Sequence, residues 1–444
     1  MPNRGITSFS LLIVFYAFFA CHCESFVDRP IERRPVAKFT SMLAPKYPNT
    51  YEHSNGKIKR EFVLAAAADS VNAAAFKAIL KLASTCGLGA LATKIGFIDK
   101  NSLSVLSKLV FNVFQPALLF VNVAATISEA LKLGDNTIFL FPFAAIVQIF
   151  LGYLIGKITS FVMYGKVDYS DDKNQLLACT TFGNSGPLPF VFTDSLFRTH
   201  ADTSLYPRSV AYISMYLLAW SPLFWSLGSS ILAEDESKLS KKEKRNQLIT
   251  RILSPPIIAS IAGLVVGSVP FLRSPILSPR GIFNPIFEAL KTLSQAYLPA
   301  VLLILAGSLL PTPDKVELPL QSDGDLNTPP KPKYELQEFV KRVGAVYISR
   351  FLILPTVSFA SIYLMQKYVP AAARIFSANK LLLFILLLET CMPSAQNSTV
   401  VLQLQGNVKA AASMARTLVA IYILGLPAMS FWLAKILGKT KLLG

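Results

Sequence analysis

Two short stretches carry the polar side chains that could hold a ligand, and both sit where a helix cannot continue. The first is Thr181-Phe182-Gly183-Asn184-Ser185-Gly186-Pro187-Leu188-Pro189, inside an apolar run. The second is Met392-Pro393-Ser394-Ala395-Gln396-Asn397-Ser398, inside another. Each proline removes a backbone donor and collides with the turn before it. In a bilayer the freed backbone groups need partners, so such a break persists only where protein or a wet cavity surrounds it. Asn184, Ser185, Ser394, Gln396 and Asn397 would offer amides and hydroxyls to a bound molecule. Gly183, Gly186, Pro187, Pro189 and Pro393 would shape the break. A packing kink without a ligand is the plainer alternative, because Gly and Pro are common in membrane helices. Paired interruptions in the two halves of a chain weigh against it, since they mark transporter binding sites. Half-helix N-termini beside the breaks would add partial positive charge. With amide donors, that suits a small organic anion such as a carboxylate.

Further polar groups lie in apolar surroundings. Gln115, Gln295 and Tyr297 flank prolines and could face the same cavity or simply pack. Arg350 and Glu389 fall within apolar segments, where charges are costly and usually paired or functional. They are candidates to pair with each other. Lys77 and Lys81, four residues apart, would face a polar vestibule or snorkel. Asp194 and Glu389 are the acids nearest the breaks, so proton coupling has little sequence support.

Other chemistry finds no residues. The chain has three histidines and five cysteines, with no C-x-x-C and no clustered metal ligands. No phosphate-binding loop or nucleophile–base constellation is present, so neither a cofactor, a metal nor an enzymatic activity is expected. The formal charge of +17 does not indicate nucleic acid, because the basic residues are scattered among loops without an aromatic-interleaved basic face.

The elements that must position the breaks are membrane helices. Of 444 residues, 52% are hydrophobic and 16% charged, against about 25% charged in soluble domains. Ten apolar segments lie near 70–93, 103–127, 137–161, 174–196, 208–232, 251–272, 284–309, 340–365, 379–404 and 410–437. Each approaches the ~20 residues needed to cross ~30 Å of hydrocarbon. Lys and Arg concentrate in alternate loops, notably Lys238 to Arg245 and Lys315 to Arg342. By the positive-inside rule both termini then face outside or the lumen.

The N-terminus agrees. Residues 1–23 read as a signal peptide, with Arg4, an apolar run from Phe9 to Ala20, and small residues after it. Residues 24–68 are basic and irregular. They resemble the transit peptide that follows a signal peptide in the two-part leader of algal secondary plastids, or form a disordered lumenal tail.

The two halves repeat. Phe114-Gln-Pro-Ala-Leu-Leu matches Tyr297-Leu-Pro-Ala-Val-Leu-Leu, and Gly87-Leu matches Gly263-Leu. Pro222 precedes Trp225 as Pro427 precedes Trp432. Such features recur roughly 175 to 205 residues apart. The expected fold is therefore an all-α polytopic membrane protein of ten helices in two five-helix repeats, 69–232 and 251–444, joined by the charged loop 233–250. Residues 311–338 form a flexible loop within the second repeat. Five is odd, so the repeats are inverted, the plan that supports alternating access.

Five motifs in order resemble the auxin efflux carrier family, closest to its PIN-LIKES members. They are Asn112-Val-Phe-Gln-Pro-Ala-Leu-Leu-Phe, Phe182-Gly-Asn-Ser-Gly-Pro-Leu-Pro, Leu253-Ser-Pro-Pro-Ile-Ile-Ala, Ser349-Arg-Phe-Leu-Ile-Leu-Pro and Met392-Pro-Ser-Ala-Gln-Asn. The likeness runs from about Asp69 to the C-terminus. It implies crossed, broken helices four and nine that bind an anion such as indole-3-acetic acid. It also implies an endoplasmic reticulum membrane, with a plastid envelope as the alternative from the leader, and is compatible with a homodimer. Where PIN-LIKES proteins usually carry Gly-Asn-x-Gly-Asn, this chain has Gly183-Asn-Ser-Gly-Pro187, losing one polar ligand. The long hydrophilic loop of the PIN transporters is also absent. The bile-acid/sodium symporter superfamily resembles the same fold and would imply a sodium-coupled carboxylate carrier. A non-transporting membrane receptor is the remaining alternative.

Overall fold

Apolar runs become helices throughout the part of the chain that the computed structural model describes: residues 84–134, 136–165, 171–198, 200–233, 253–309 and 332–442, with isolated positions at 80, 246, 249 and 250. The leader 1–23, the segment 24–68, Lys77, Lys81, and most of loops 233–250 and 311–338 lie outside these residues. In chain order the helices are α1 (Lys100–Leu109), α2 (Gln115–Leu133), α3 (Leu140–Tyr164), α4 (Asp171–Thr181), α5 (Pro187–Phe197) and α6 (Leu205–Leu223). Then come α7 (Pro255–Ser268), α8 (Pro270–Leu277), α9 (Asn284–Gln295), α10 (Tyr297–Leu309) and α11 (Pro332–Tyr347). The last are α12 (Leu354–Tyr368), α13 (Pro370–Ala378), α14 (Lys380–Thr390), α15 (Asn397–Leu404) and α16 (Val408–Thr440). No strand occurs among the described residues, apart from one isolated bridge.

Among the described residues, six stretches are long and apolar enough to cross a membrane: Asn101–Lys132, Asn136–Tyr164, Leu205–Leu232, Asn284–Leu309, Leu336–Tyr368 and Val408–Thr440. Two sharply bent pairs raise the number to eight if each is one span. One is α7 with α8, which turn through 101°. The sequence reading places one span near 251–272. Pro270 instead holds Val269 in extended backbone and ends α7 after 14 residues. The other pair is α13 with α14, turning through 99°.

Among the described residues, three π-helical segments interrupt the long helices: Val110–Phe114, Phe224–Gly228 and Ile348–Ile353. Each adjoins a proline, Pro116, Pro222 or Pro355. The extra residue per turn of a π-bulge rotates the following side chains, a feature frequent at functional sites. Arg350 lies in the third.

Packing sorts the helices into two groups. α2 lies most extensively against α7 and also against α9, while α10 packs on α1. Gly263 and Gly267 let α7 approach the backbone of α2 at Phe120 and Ala124. In the second group α3 packs on α4 and α6, and α16 gathers α11, α14 and α15. Gly152 and Gly156 bring α3 onto the α4 backbone around Thr180 and Thr181. The groups meet where α2 faces α6 and where α10 faces α15 and α16.

Arg342 fastens the second group. It was counted with the loop charges, yet it is buried within α11, where it ion-pairs with Asp172 of α4. It also donates to Thr417 Oγ1 at 3.0 Å and Ser413 Oγ at 2.8 Å, both on α16.

Candidate functional site: the crossing of two broken helices

α4 and α5 have 11 residues each, so each rises only about 16 Å, half the hydrocarbon thickness. α14 and α15, with 11 and 8 residues, are similarly short. Their broken ends meet. Asn184 N–H donates to Pro393 C=O at 2.7 Å, and Ala395 N–H donates to Phe182 C=O at 2.9 Å. These two bonds form an antiparallel bridge between Gly183 and Ser394. Backbone groups that Pro and Gly expose in one break are thus satisfied by the other, as a low-dielectric interior requires.

The helix C-termini entering the breaks are capped by Arg350. Its Nη1 donates to Thr180 C=O at 3.1 Å, while Nε and Nη2 donate to Met392 C=O at 3.2 and 2.9 Å. A cation placed on C-terminal carbonyls also opposes the negative end of each helix dipole. The ion pair with Glu389 that the sequence allowed is absent. The guanidinium is committed to carbonyls, and both Glu389 oxygens lack a hydrogen-bond partner. Gly183 is needed because the guanidinium crosses directly over it, where a β-carbon would collide. Gly183→Ala should therefore displace Arg350 and cut the yield of monodisperse protein severalfold in size-exclusion chromatography. A wild-type yield and melting temperature would contradict this role for the glycine.

A cavity opens between the crossing and the wall made by α2 and α10. The space between these walls amounts to about 340 Å³, part of it open solvent. Its centre has room for little more than a water molecule, so a larger ligand enters only as the walls part. Gln115, Asn184, Tyr297, Gln396 and Asn397 all reach it, as do the glycine and proline of the first break, Gly186 and Pro187.

The polar groups there are unevenly used. Asn184 Nδ2 donates to Tyr422 Oη at 2.6 Å, and Tyr422 Oη donates in turn to Ser394 C=O at 3.2 Å. Tyr297 Oη donates to Asn397 Oδ1 at 2.8 Å, which leaves Asn397 Nδ2 for a ligand. Gln115 Nε2 donates to Ser221 Oγ at 3.3 Å, whereas its Oε1 is buried without a partner. Gln396 has no partner at either amide atom, nor has the indole N–H of Trp220. Buried polar atoms are almost always hydrogen-bonded, and here three residues around one cavity leave four such atoms unmet.

Not every expected residue reaches the cavity. Ser185 and Ser394 are buried at the crossing and do not line it; Ser394 Oγ donates to Cys179 C=O at 2.8 Å. In the folded backbone Asn184 and Asn397 face the wall, which turns their serine neighbours inward. Pro189 is buried in the first turn of α5 and Pro393 passes its carbonyl to Asn184. Gln295 is exposed, about 200° around the helix from Tyr297. Asp194 ion-pairs with Arg198 away from the break. The half-helix N-termini also offer fewer free donors than expected. Pro187 and Pro189 have no N–H, while the Ser398 and Thr399 N–H groups are spent on Ala395 and Gln396 carbonyls. Tyr422 and Trp220 were not anticipated, because an aromatic residue in an apolar span reads as packing.

A family model described as membrane transport protein matches residues 74–433. The chain belongs to this family. It is an integral membrane protein of the auxin efflux carrier type. Among curated relatives it is similar to Protein PIN-LIKES 2 of Arabidopsis thaliana, 29% identical over 147 residues, or 33% of this chain and 27% of that protein. It is also similar to Protein PIN-LIKES 6 of the same plant, 24% identical over 187 residues, or 42% and 37% of the two chains. An uncharacterized transporter of Saccharomyces cerevisiae is 22% identical over 312 residues, covering 53% of this chain and 70% of that one. The match to the PIN-LIKES proteins thus spans about a quarter to a third of their length.

Proposed function

We propose that this membrane transport protein carries a small organic anion, indole-3-acetic acid or a related carboxylate, by alternating access at the crossing. The supporting observation is the set of unmet polar atoms on residues that line one narrow cavity. The unmet Gln396 amide and Trp220 indole N–H supply donors for a carboxylate, with the Asn397 amide beside them. Gln115 Oε1 supplies an acceptor for a ring N–H, and Leu118, Leu119 and Leu217 supply an apolar bed for the ring. The resemblance to the auxin efflux carrier family points to the same class of ligand.

The proposal includes the finer fold: ten helices in two inverted repeats, 69–232 and 251–444, with α4/α5 and α14/α15 as the broken fourth and ninth. In that scheme the group built on α3 to α6 and α11 to α16 moves against the wall of α2, α7, α9 and α10. One chain lines the cavity, so a homodimer would hold two independent sites. The signal peptide of 1–23 would deliver the protein to the endoplasmic reticulum, or through 24–68 to a plastid envelope.

Purified protein in liposomes should take up labelled indole-3-acetic acid, or another member of a carboxylate panel, severalfold faster than empty liposomes. Unlabelled substrate inside should accelerate the exchange. Well-folded protein that carries no member of the panel would overturn the proposal.

A further inference from the structure

Glu389 is the buried ionisable group that the crossing leaves unused. It ends α14 one residue before Thr390, is 1% exposed, and has no hydrogen-bond partner at either carboxyl oxygen. Its surroundings explain why. Arg350 is the charged side chain that acts on it, but all three of its guanidinium hydrogen bonds go to the Thr180 and Met392 carbonyls. Tyr216 on α6 faces the same spot, yet its hydroxyl donates to Gln148 Oε1 at 2.6 Å. Gln148 Nε2 in turn donates to Leu386 C=O at 3.0 Å. The Cys179 and Cys391 thiols lie around Arg350, and Cys391 donates to Leu387 C=O at 3.3 Å. Ser185 faces the carboxyl from the first break without a well-formed hydrogen bond to it.

A carboxylate buried without a hydrogen-bond donor carries a desolvation penalty of several kcal/mol. Among the described residues only Ser185 faces the carboxyl as a donor, without a well-formed hydrogen bond to it, so the missing partner comes from outside. We propose that Glu389 binds one monovalent cation, a proton or Na+, behind the crossing, with Ser185 as its link to the cavity.

Charge balance gives the site a purpose, and this step rests on the anion reading above. With Glu389 ionised and empty, its charge cancels that of Arg350, and the crossing presents no net field to an anion. With the cation bound, Arg350 is uncompensated and its field favours the anion on the other side of the bridge. Ser185 stands between, one residue from Asn184, so occupancy on one side alters the backbone on the other. Cation and anion would then move together.

The cation site is tested without the anion, so its failure is distinguishable from failure of the transport reading. Purified full-length protein and Glu389→Gln are melted across a pH series, with NaCl exchanged for choline chloride at constant ionic strength. Under Na+ occupancy, the wild-type midpoint rises with NaCl at fixed pH. Under proton occupancy, it ignores Na+ and falls as pH rises. In either case Glu389→Gln, which carries its own donor, loses the dependence. If both proteins respond alike to Na+ and to pH, or the wild type responds to neither, the proposal is overturned. Should Glu389→Gln fail to fold, labelling of wild-type Glu389 by a hydrophobic carbodiimide, read by peptide mass spectrometry, decides. Labelling is expected to fall about tenfold at ten times the half-protecting Na+ concentration, or to fall with rising pH. Labelling that neither Na+ nor pH changes would sink the site.

Discussion

Arg350→Met is expected to abolish folded protein rather than merely slow transport. The side chain is 2% exposed and makes three hydrogen bonds to two carbonyls that end different helices. Without it the Thr180 and Met392 carbonyls lie buried and unpaired, at about 1–3 kcal/mol each. Loss of the charge at two helix C-termini adds to this. The sum is a large part of the ~5–15 kcal/mol that holds a domain together. A lysine cannot reach both carbonyls with the spread of a guanidinium, so Arg350→Lys should rescue only partly. Fluorescence-detected size-exclusion chromatography of tagged variants reads the outcome. A monodisperse Arg350→Met with wild-type melting would show that the capping is dispensable.

Asn397→Asp is expected to eliminate anion binding while preserving the fold. The residue opens α15 and is 3% exposed, and an acid in the first turn of a helix is favourable. The new carboxylate keeps the acceptor for the Tyr297 hydroxyl but removes the amide donor from the cavity. It also sets a negative charge against the ligand's own. Like charges held together cost several kcal/mol, so affinity for the carboxylate found in the panel should fall more than about a hundredfold. Asn397→Ala loses the hydrogen bond to a charged ligand, about 1.5–3 kcal/mol or roughly ten- to a hundredfold, and also leaves the Tyr297 hydroxyl without its acceptor. Equal, small effects of both changes in a direct binding assay would move the site elsewhere. Asn184→Ala likewise frees a tyrosine, since Asn184 holds Tyr422 against the Ser394 carbonyl. Its loss should lower abundance as well as binding.

Both breaks were legible because their causes are local: Pro187, Pro189 and Pro393 forbid helix wherever the chain runs. Membership of a transport family was legible in five short motifs. Partners across the fold were not. Arg350 announced itself as a charge in an apolar span, but Glu389 seemed its natural mate because sequence shows charge and not backbone carbonyls. Arg342 passed for a loop charge because its partner Asp172 is 170 residues distant. The 101° turn after α7 was written in Val269-Pro270, but a hydropathy window averages across a proline. Which of Asn184 or Ser185 would meet the cavity depended on the twist of an irregular backbone, for which no periodicity exists.

The bridge between the breaks has a consequence for how the protein is made. Ser394 Oγ and its acceptor at Cys179 are 215 residues apart in sequence, so at ~5–20 residues per second the first break waits about 10–40 s for its partner to leave the ribosome. During that wait the Phe182 carbonyl and the Asn184 N–H have no protein partner. A chain stopped short of Met392 never supplies one. The nascent first half must therefore be sheltered by water or by the insertion machinery, and truncated chains should be cleared by quality control even when their earlier spans are intact.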